Sequence, residues 1–183
     1  MKRTLQVVAG VLLVLAGIGA AIGGGVLLAI FGREGTLSVQ SGPLEGSGAA
    51  LVTENLDVGG GGSLQQRLGT LTFGARSEDG TPLFIGVAPT DQVFDYLEGA
   101  PYDVLVDISS QGAASLRPVP GRVLPPPPSQ QPFWVASASG TSPEFIWPGS
   151  SGDQRLVVMK PDGTRDVAAR LTVTYRSSSM FGL

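Results

Sequence analysis

Five carboxylates fall within 17 residues: Asp91, Asp95, Glu98, Asp103 and Asp107. Clustered carboxylate oxygens are the ligands that calcium, a hard cation, selects. The spacing holds no Asp-x-Asp-x-Asp loop, however, and Asp91, Asp95 and Glu98 fall on one face of a short helix. A solvated acidic face, with Asp91 in the first turn facing the positive end of the helix dipole, is the plainer reading. No metal and no cofactor is assigned. The aromatics Phe133, Trp134, Phe145 and Trp147 could stack on sugar rings, as a cell-wall glycan module requires. Trp134 and Trp147 nevertheless lie in apolar strand patterns, where large aromatics belong to a core. Serines are plentiful, but there is no histidine to activate one, and Lys160 stands at a turn. Ser–Lys chemistry needs that lysine buried beside a serine. The chain is read as a non-enzyme.

Composition narrows the classes further. Histidine and cysteine are both absent, which excludes a disulfide framework, a zinc–thiolate site and a cysteine-linked lipid anchor. Net charge is −3, but Lys2, Arg3 and Arg33 put three positive charges at the N-terminus. The remainder holds nine Lys and Arg against 15 Asp and Glu, a balance of −6. Nucleic acid demands clustered Lys and Arg, so it is not expected as a partner. The 27 glycines and 14 prolines point to many turns.

The elements that would position these residues begin with the N-terminus. Val7 to Phe31 is a run of 25 residues with no charged or strongly polar side chain, flanked by Lys2-Arg3 and Arg33-Glu34. At about 1.5 Å rise per residue a helix of that length crosses a hydrocarbon core of about 30 Å. A cleaved signal ending at Gly19-Ala20-Ala21 competes with this reading. The apolar run continues through Val26, Leu27, Leu28 and Ile30, which favours a retained anchor. Lys2 and Arg3 place the N-terminus in the cytoplasm and the bulk of the chain outside the plasma membrane. Gly17, Ala21 and Gly25 lie four apart, a row that lets a second membrane helix approach closely. The bilayer is thus the first expected partner, and another membrane helix or an envelope protein the second.

Past residue 33 the pattern changes to short apolar runs between turns. Residues 69–76 and 170–176 alternate with period two, the mark of half-buried strands. Further strands are expected at 50–55, 83–88, 103–108, 133–138, 144–147 and 155–160. The run RLVVMK at 155–160 is apolar on both faces, as a central strand is. Glu78-Asp79-Gly80 and Lys160-Pro161-Asp162-Gly163 predict antiparallel hairpins, because Asp-Gly favours the positive φ such turns need. A short helix is expected at 91–98, ended by Gly99. Gly59 to Gly62 reads as a flexible loop. Residues 118–132 hold seven prolines, and Pro125 to Pro128 should be extended polyproline II. A rigid surface loop between strands is the plainer reading of such a segment, docking on an aromatic groove of a partner its alternative.

Three ordered blocks resemble a family of uncharacterised actinobacterial membrane proteins. They are Ser77 to Thr90 with Tyr96-Leu97, Phe133 to Gly140, and Val157 to Gly163, with Trp147 between the last two. The resemblance covers most of 50–176. It implies an N-terminal membrane helix, an exported β domain and usually a second membrane helix at the C-terminus. This chain departs from that pattern at Arg176 to Leu183, about where the second helix would start. The family brings no activity with it.

The sequence therefore predicts a mainly β protein, an antiparallel, jelly-roll-like β-sandwich preceded by one transmembrane α-helix. Residues 1–33 are the cytoplasmic tip and membrane helix, 34–49 a linker, 50–176 the exported sandwich, and 177–183 a tail or the start of a second membrane helix. The expected role is binding or scaffolding at the cell envelope. Its rivals are a glycan-binding module using Trp134 or Trp147 and an accessory subunit of a membrane complex.

Overall fold

The computed structural model describes residues 36–54, 70–108, 114–147 and 152–176. The apolar run Val7–Phe31, the glycine loop 59–62 and the tail 177–183 lie outside these residues. Among the described residues no helix is long and apolar enough to cross a membrane.

Among the described residues, eleven strands, one α-helix and one short 3-10 turn follow in the order β1 (Thr36–Gln40), β2 (Leu44–Gly46), β3 (Ala50–Thr53), β4 (Thr70–Ser77), β5 (Leu83–Pro89), α1 (Thr90–Tyr96), β6 (Tyr102–Ile108), β7 (Ala114–Val119), the 3-10 turn (Pro128–Gln130), β8 (Ala136–Gly140), β9 (Glu144–Trp147), β10 (Gln154–Met159) and β11 (Val167–Arg176). The protein is mainly β, as its alternating patterns predict. The strands form two sheets, one ordered β1-β11-β4-β9 with β2 also on β11, the other β7-β6-β3-β10-β5-β8. Counted inward from the ends, β1 and β2 pair with β11, β3 with β10, β4 with β9, and β5 with β8, all antiparallel.

The two sheets share one core. Leu71, Phe73, Phe145, Trp147, Leu171 and Val173 from the first sheet meet Leu51, Leu83, Ile85, Val87, Leu156 and Val158 from the second. Phe73 lies at the centre, 6.0 Å from the Phe145 ring and 5.9 Å from Trp147. The gap lined by Leu51, Leu105, Leu156, Val158 and Leu171 has no room for a water molecule. The first sheet turns its other face to solvent, where Thr72, Thr172 and Thr174 follow the polar half of the alternation.

The second sheet is covered on both faces. Ala50, Val52, Phe84, Val157 and Met159 pack on its outer side under Val93 and Leu97 of α1. This double burial explains why β5 and β10 read as continuous apolar runs.

Four expectations change. The segment 34–49, expected to be a linker, contains β1 and β2, and Leu44 is 1% exposed. The turns at 78–80 and 160–163 do reverse the chain, with Gly80 at φ 80° and Gly163 at φ 73°. They do not make hairpins, because β4 and β11 lie in one sheet and β5 and β10 in the other. Turn chemistry fixes a reversal of direction, whereas sheet membership follows from burial. The half-polar strands β4 and β11 need a solvent face, and the all-apolar β5 and β10 need two covered ones. In each turn an aspartate holds the bend: Asp79 accepts from the Thr81 N–H at 2.8 Å, and Asp162 from the Thr164 N–H at 3.1 Å. Both carboxyls are held below their usual pKa, Asp162 first by the Thr164 hydroxyl, which donates to it at 2.7 Å, and then by the Thr164 N–H, and Asp79 first by the Thr81 N–H. The sheets are also not wholly antiparallel, since β3 and β6 run parallel. The crossover through α1 after β5 carries the chain back so that β6 starts at the end from which β3 starts. Finally, the strand expected at 133–138 is displaced to 136–140, because Phe133 and Trp134 leave the sheet edge and fold over its outer face.

Candidate functional site

Asp91, Asp95, Glu98 and Asp103 do not converge. Asp91, Asp95 and Glu98 are exposed on and just after α1. Asp103 is 3% exposed on β6, where its Oδ2 accepts the Gly48 N–H at 2.7 Å and ties the β2–β3 connection down. Asp107 lies further along β6. Among the described residues no three His, Cys, Asp or Glu side chains are grouped to hold a metal. Lys160 follows β10, half-buried at the turn. Trp147 is 4% exposed in the inter-sheet core, and its indole N–H donates to Gln154 Oε1 at 2.9 Å. Phe145 packs beside it. Gly17, Ala21 and Gly25 lie outside the described residues.

Trp134 occupies a different place. It lies half-buried on the outer face of the second sheet, in a cluster with Phe84 at 5.0 Å, Phe133 at 4.6 Å and Tyr96 at 6.0 Å between ring centroids. Gly86 of β5 makes this seat. A Cβ there would come within 2.7 Å of the Trp134 ring, so only glycine leaves the strand flat enough to receive it. The β5 sequence LFIGVAP thus carries a gap in its apolar run at the point where an aromatic ring approaches the backbone.

The proline-rich segment lies against this cluster. Tyr96 at the end of α1 donates its hydroxyl to the Pro126 carbonyl at 2.5 Å, and the Trp134 indole N–H donates to the Pro128 carbonyl at 2.8 Å. Burial pushes the Tyr96 hydroxyl well above the usual tyrosine pKa, so it acts as a neutral donor. Pro125 and Pro128 are buried, while Pro126 is exposed and Pro127 half-buried. Polyproline II has three residues per turn, so prolines three apart share one face. Pro127, at φ −52° and ψ 128°, has the matching backbone.

The segment is held at both ends. The Arg122 and Val123 N–H groups donate to the Gly99 carbonyl at 2.8 and 3.1 Å. A Cβ on Gly163 would come within 2.4 Å of the Pro125 carbonyl, so the β10–β11 turn seats the first buried proline. Val135 N–H then rejoins β5 through the Val87 carbonyl at 2.8 Å. Val123, 64% exposed, and Leu124, 46% exposed, stand beside this seat.

One polar neighbourhood remains on the same outer face. Arg155 lies over the Phe94 ring at 4.6 Å and donates from Nη1 to the Thr53 carbonyl at 2.9 Å. Its Nε and the Thr90 Oγ1 are buried without a hydrogen-bond partner.

The polyproline stretch was legible in the sequence as an extended surface segment, read first as a rigid loop and only second as one that docks on aromatic rings. The aromatic cluster it lies against was not legible, because Tyr96, Trp134 and Pro125 to Pro128 come together only through the fold. The three-residue spacing of the prolines was the available signal.

The chain matches no protein-family profile and no curated protein. Among solved structures it aligns with a chain described as "Bacillus endospore appendages form a novel family of disulfide-linked pili", at 12% identity and a TM-score of 0.26, over 84% of this chain and 98% of that one. A likeness at that score carries no argument about fold or function.

Proposed function

We propose that this is a membrane-anchored cell-envelope protein whose exported domain, a jelly-roll β-sandwich, works by binding or scaffolding rather than by catalysis. The inward-nested pairing of its strands supports the jelly-roll description. One observation carries the placement at the membrane. Thr36, where β1 begins, pairs directly with Arg176, where β11 ends. Both ends of the domain therefore leave from one end of one sheet. Only residues 32–35 separate β1 from the apolar run Val7–Phe31, and four extended residues reach at most about 14 Å. That end of the sandwich faces the bilayer in this reading. The resemblance to actinobacterial membrane proteins agrees with it, and a second membrane helix after Arg176 would enter beside the first. Gly17, Ala21 and Gly25 are proposed to face another membrane helix.

The glycan-binding alternative loses support from the placement of its two tryptophans. Trp147 is inside the core, and Trp134 is engaged by three rings and a proline carbonyl.

The absence of native cysteine makes the test clean. Ile146 is 64% exposed on the solvent face of the first sheet. In the full chain, Ile146→Cys should react with a membrane-impermeant maleimide on intact cells. Labelling only after the cells are broken would place the domain inside and end this reading.

A further inference from the structure

We infer that the surface made by Tyr96, Phe133 and Trp134 is a binding groove for proline-rich segments with prolines three residues apart, kept closed by the chain's own Pro125–Pro128. The inference deepens the binding role proposed above and rests on it. The ligand class is read from what occupies the surface. Pro125 and Pro128, three residues apart, are buried, Pro128 as the first residue of a 3-10 turn over Pro128–Gln130, and the carbonyls of Pro126 and Pro128 each accept a bond from an aromatic side chain. Aromatic-lined grooves recognise extended proline segments in this manner, through ring packing and carbonyl acceptors rather than charge. A partner segment offers the same groups and needs little ordering, since polyproline II is already extended.

The internal segment must then act as a tethered competitor. A short tether gives it an effective concentration on the order of millimolar, enough to exclude a weak partner. Its anchorage is nevertheless local. Between Gly121 and Gln131 its named bonds to the rest of the chain are those to Gly99, Tyr96, Trp134 and Arg165. A segment with few such ties opens at lower free energy than the core strands. The Gly163 seat offers a second means of control, because it sets the position of Pro125 from outside the groove.

The test uses the full chain and a peptide with its own sequence 121–131, GRVLPPPPSQQ. The variant Pro125→Ser with Pro128→Ser removes the internal ligand and leaves every groove residue in place. Binding is read from Trp134 emission in a Trp147→Phe background. If the segment closes the groove 90% of the time or more, the variant binds the peptide about tenfold or more tightly than the parent chain. A control peptide with serine at both proline positions should not bind. Equal affinity for variant and parent overturns the inference, and so does a cooperatively melting variant that ignores the peptide. Should the variant fail to melt cooperatively, hydrogen exchange of the parent chain decides. The amides of Arg122, Val123, Gln130 and Gln131 should then exchange well before those of β10. Exchange of both sets only on global unfolding makes the segment a permanent part of the fold and overturns the proposal. Either failure leaves the envelope location to be judged by the Ile146→Cys labelling alone.

Discussion

Deleting residues 36–49 from the full chain abolishes cooperative unfolding of the domain. The sequence pattern suggests a linker there, rich in Gly and Ser and short on apolar residues. The structure makes it the edge of the first sheet. Thr36 to Gln40 pair residue by residue with Arg176 to Thr172, and Leu44 to Gly46 with Ala169 to Val167. Ser41 sits between the two halves and bonds Leu171 twice, its N–H to the Leu171 carbonyl and its Oγ from the Leu171 N–H, both at 2.9 Å. The Gly48 N–H reaches the buried Asp103 carboxylate, and the Ala49 N–H the Pro101 carbonyl at 2.7 Å. Loss of the Leu44 side chain alone costs about 2–5 kcal/mol by analogy with buried Leu→Ala changes. Removing a partner from buried Asp103 costs about 1–3 kcal/mol more. Domains of this kind hold only about 5–15 kcal/mol in total. Near-ultraviolet circular dichroism during heating is the readout, and a sharp melt within a few degrees of the parent would restore the linker reading.

Phe73→Ala destabilises the domain by about 3–5 kcal/mol, the range for large aromatics removed from a core. Phe73 is 1% exposed and contacts the rings of Phe145 and Trp147. Its strand sits between β11 and β9, so the backbone around it is fixed on both sides and cannot collapse into the hole. Urea unfolding followed by tryptophan emission measures the change. A loss below about 1 kcal/mol would mean that the two sheets do not close on this ring, and that the packing drawn between them is wrong.

These two residues mark what the sequence reveals and where it falls short. Phe73 was legible because period-two alternation assigns each side chain of β4 to a face. The same alternation recovered β11, and a run apolar on both faces recovered β10 as a central strand. Leu44 was not legible, because β2 spans three residues, too few for a periodicity to show. β7 was hidden for another reason. Its sequence ASLRPV carries a proline, tolerated because β7 is an edge strand paired only with β6. The hairpin expectations failed at the level of sheets. Asp79-Gly80 and Asp162-Gly163 specify how the backbone turns, while the partner of each strand is set by long-range burial. Of the candidate site, the two halves stood in the sequence as a proline run and as scattered aromatics. Only the β5–α1 crossover and the gap at Gly86 bring them together.

In the proposed reading this domain is carried on a retained membrane helix. Intact mass of the protein from carbonate-washed membranes of its native host tests it most directly. A retained helix gives a membrane-bound species of at least 18.8 kDa, with residues 1–33 still attached. A soluble species lighter by the first 21 residues or so would contradict it, and would make the β-sandwich a secreted protein.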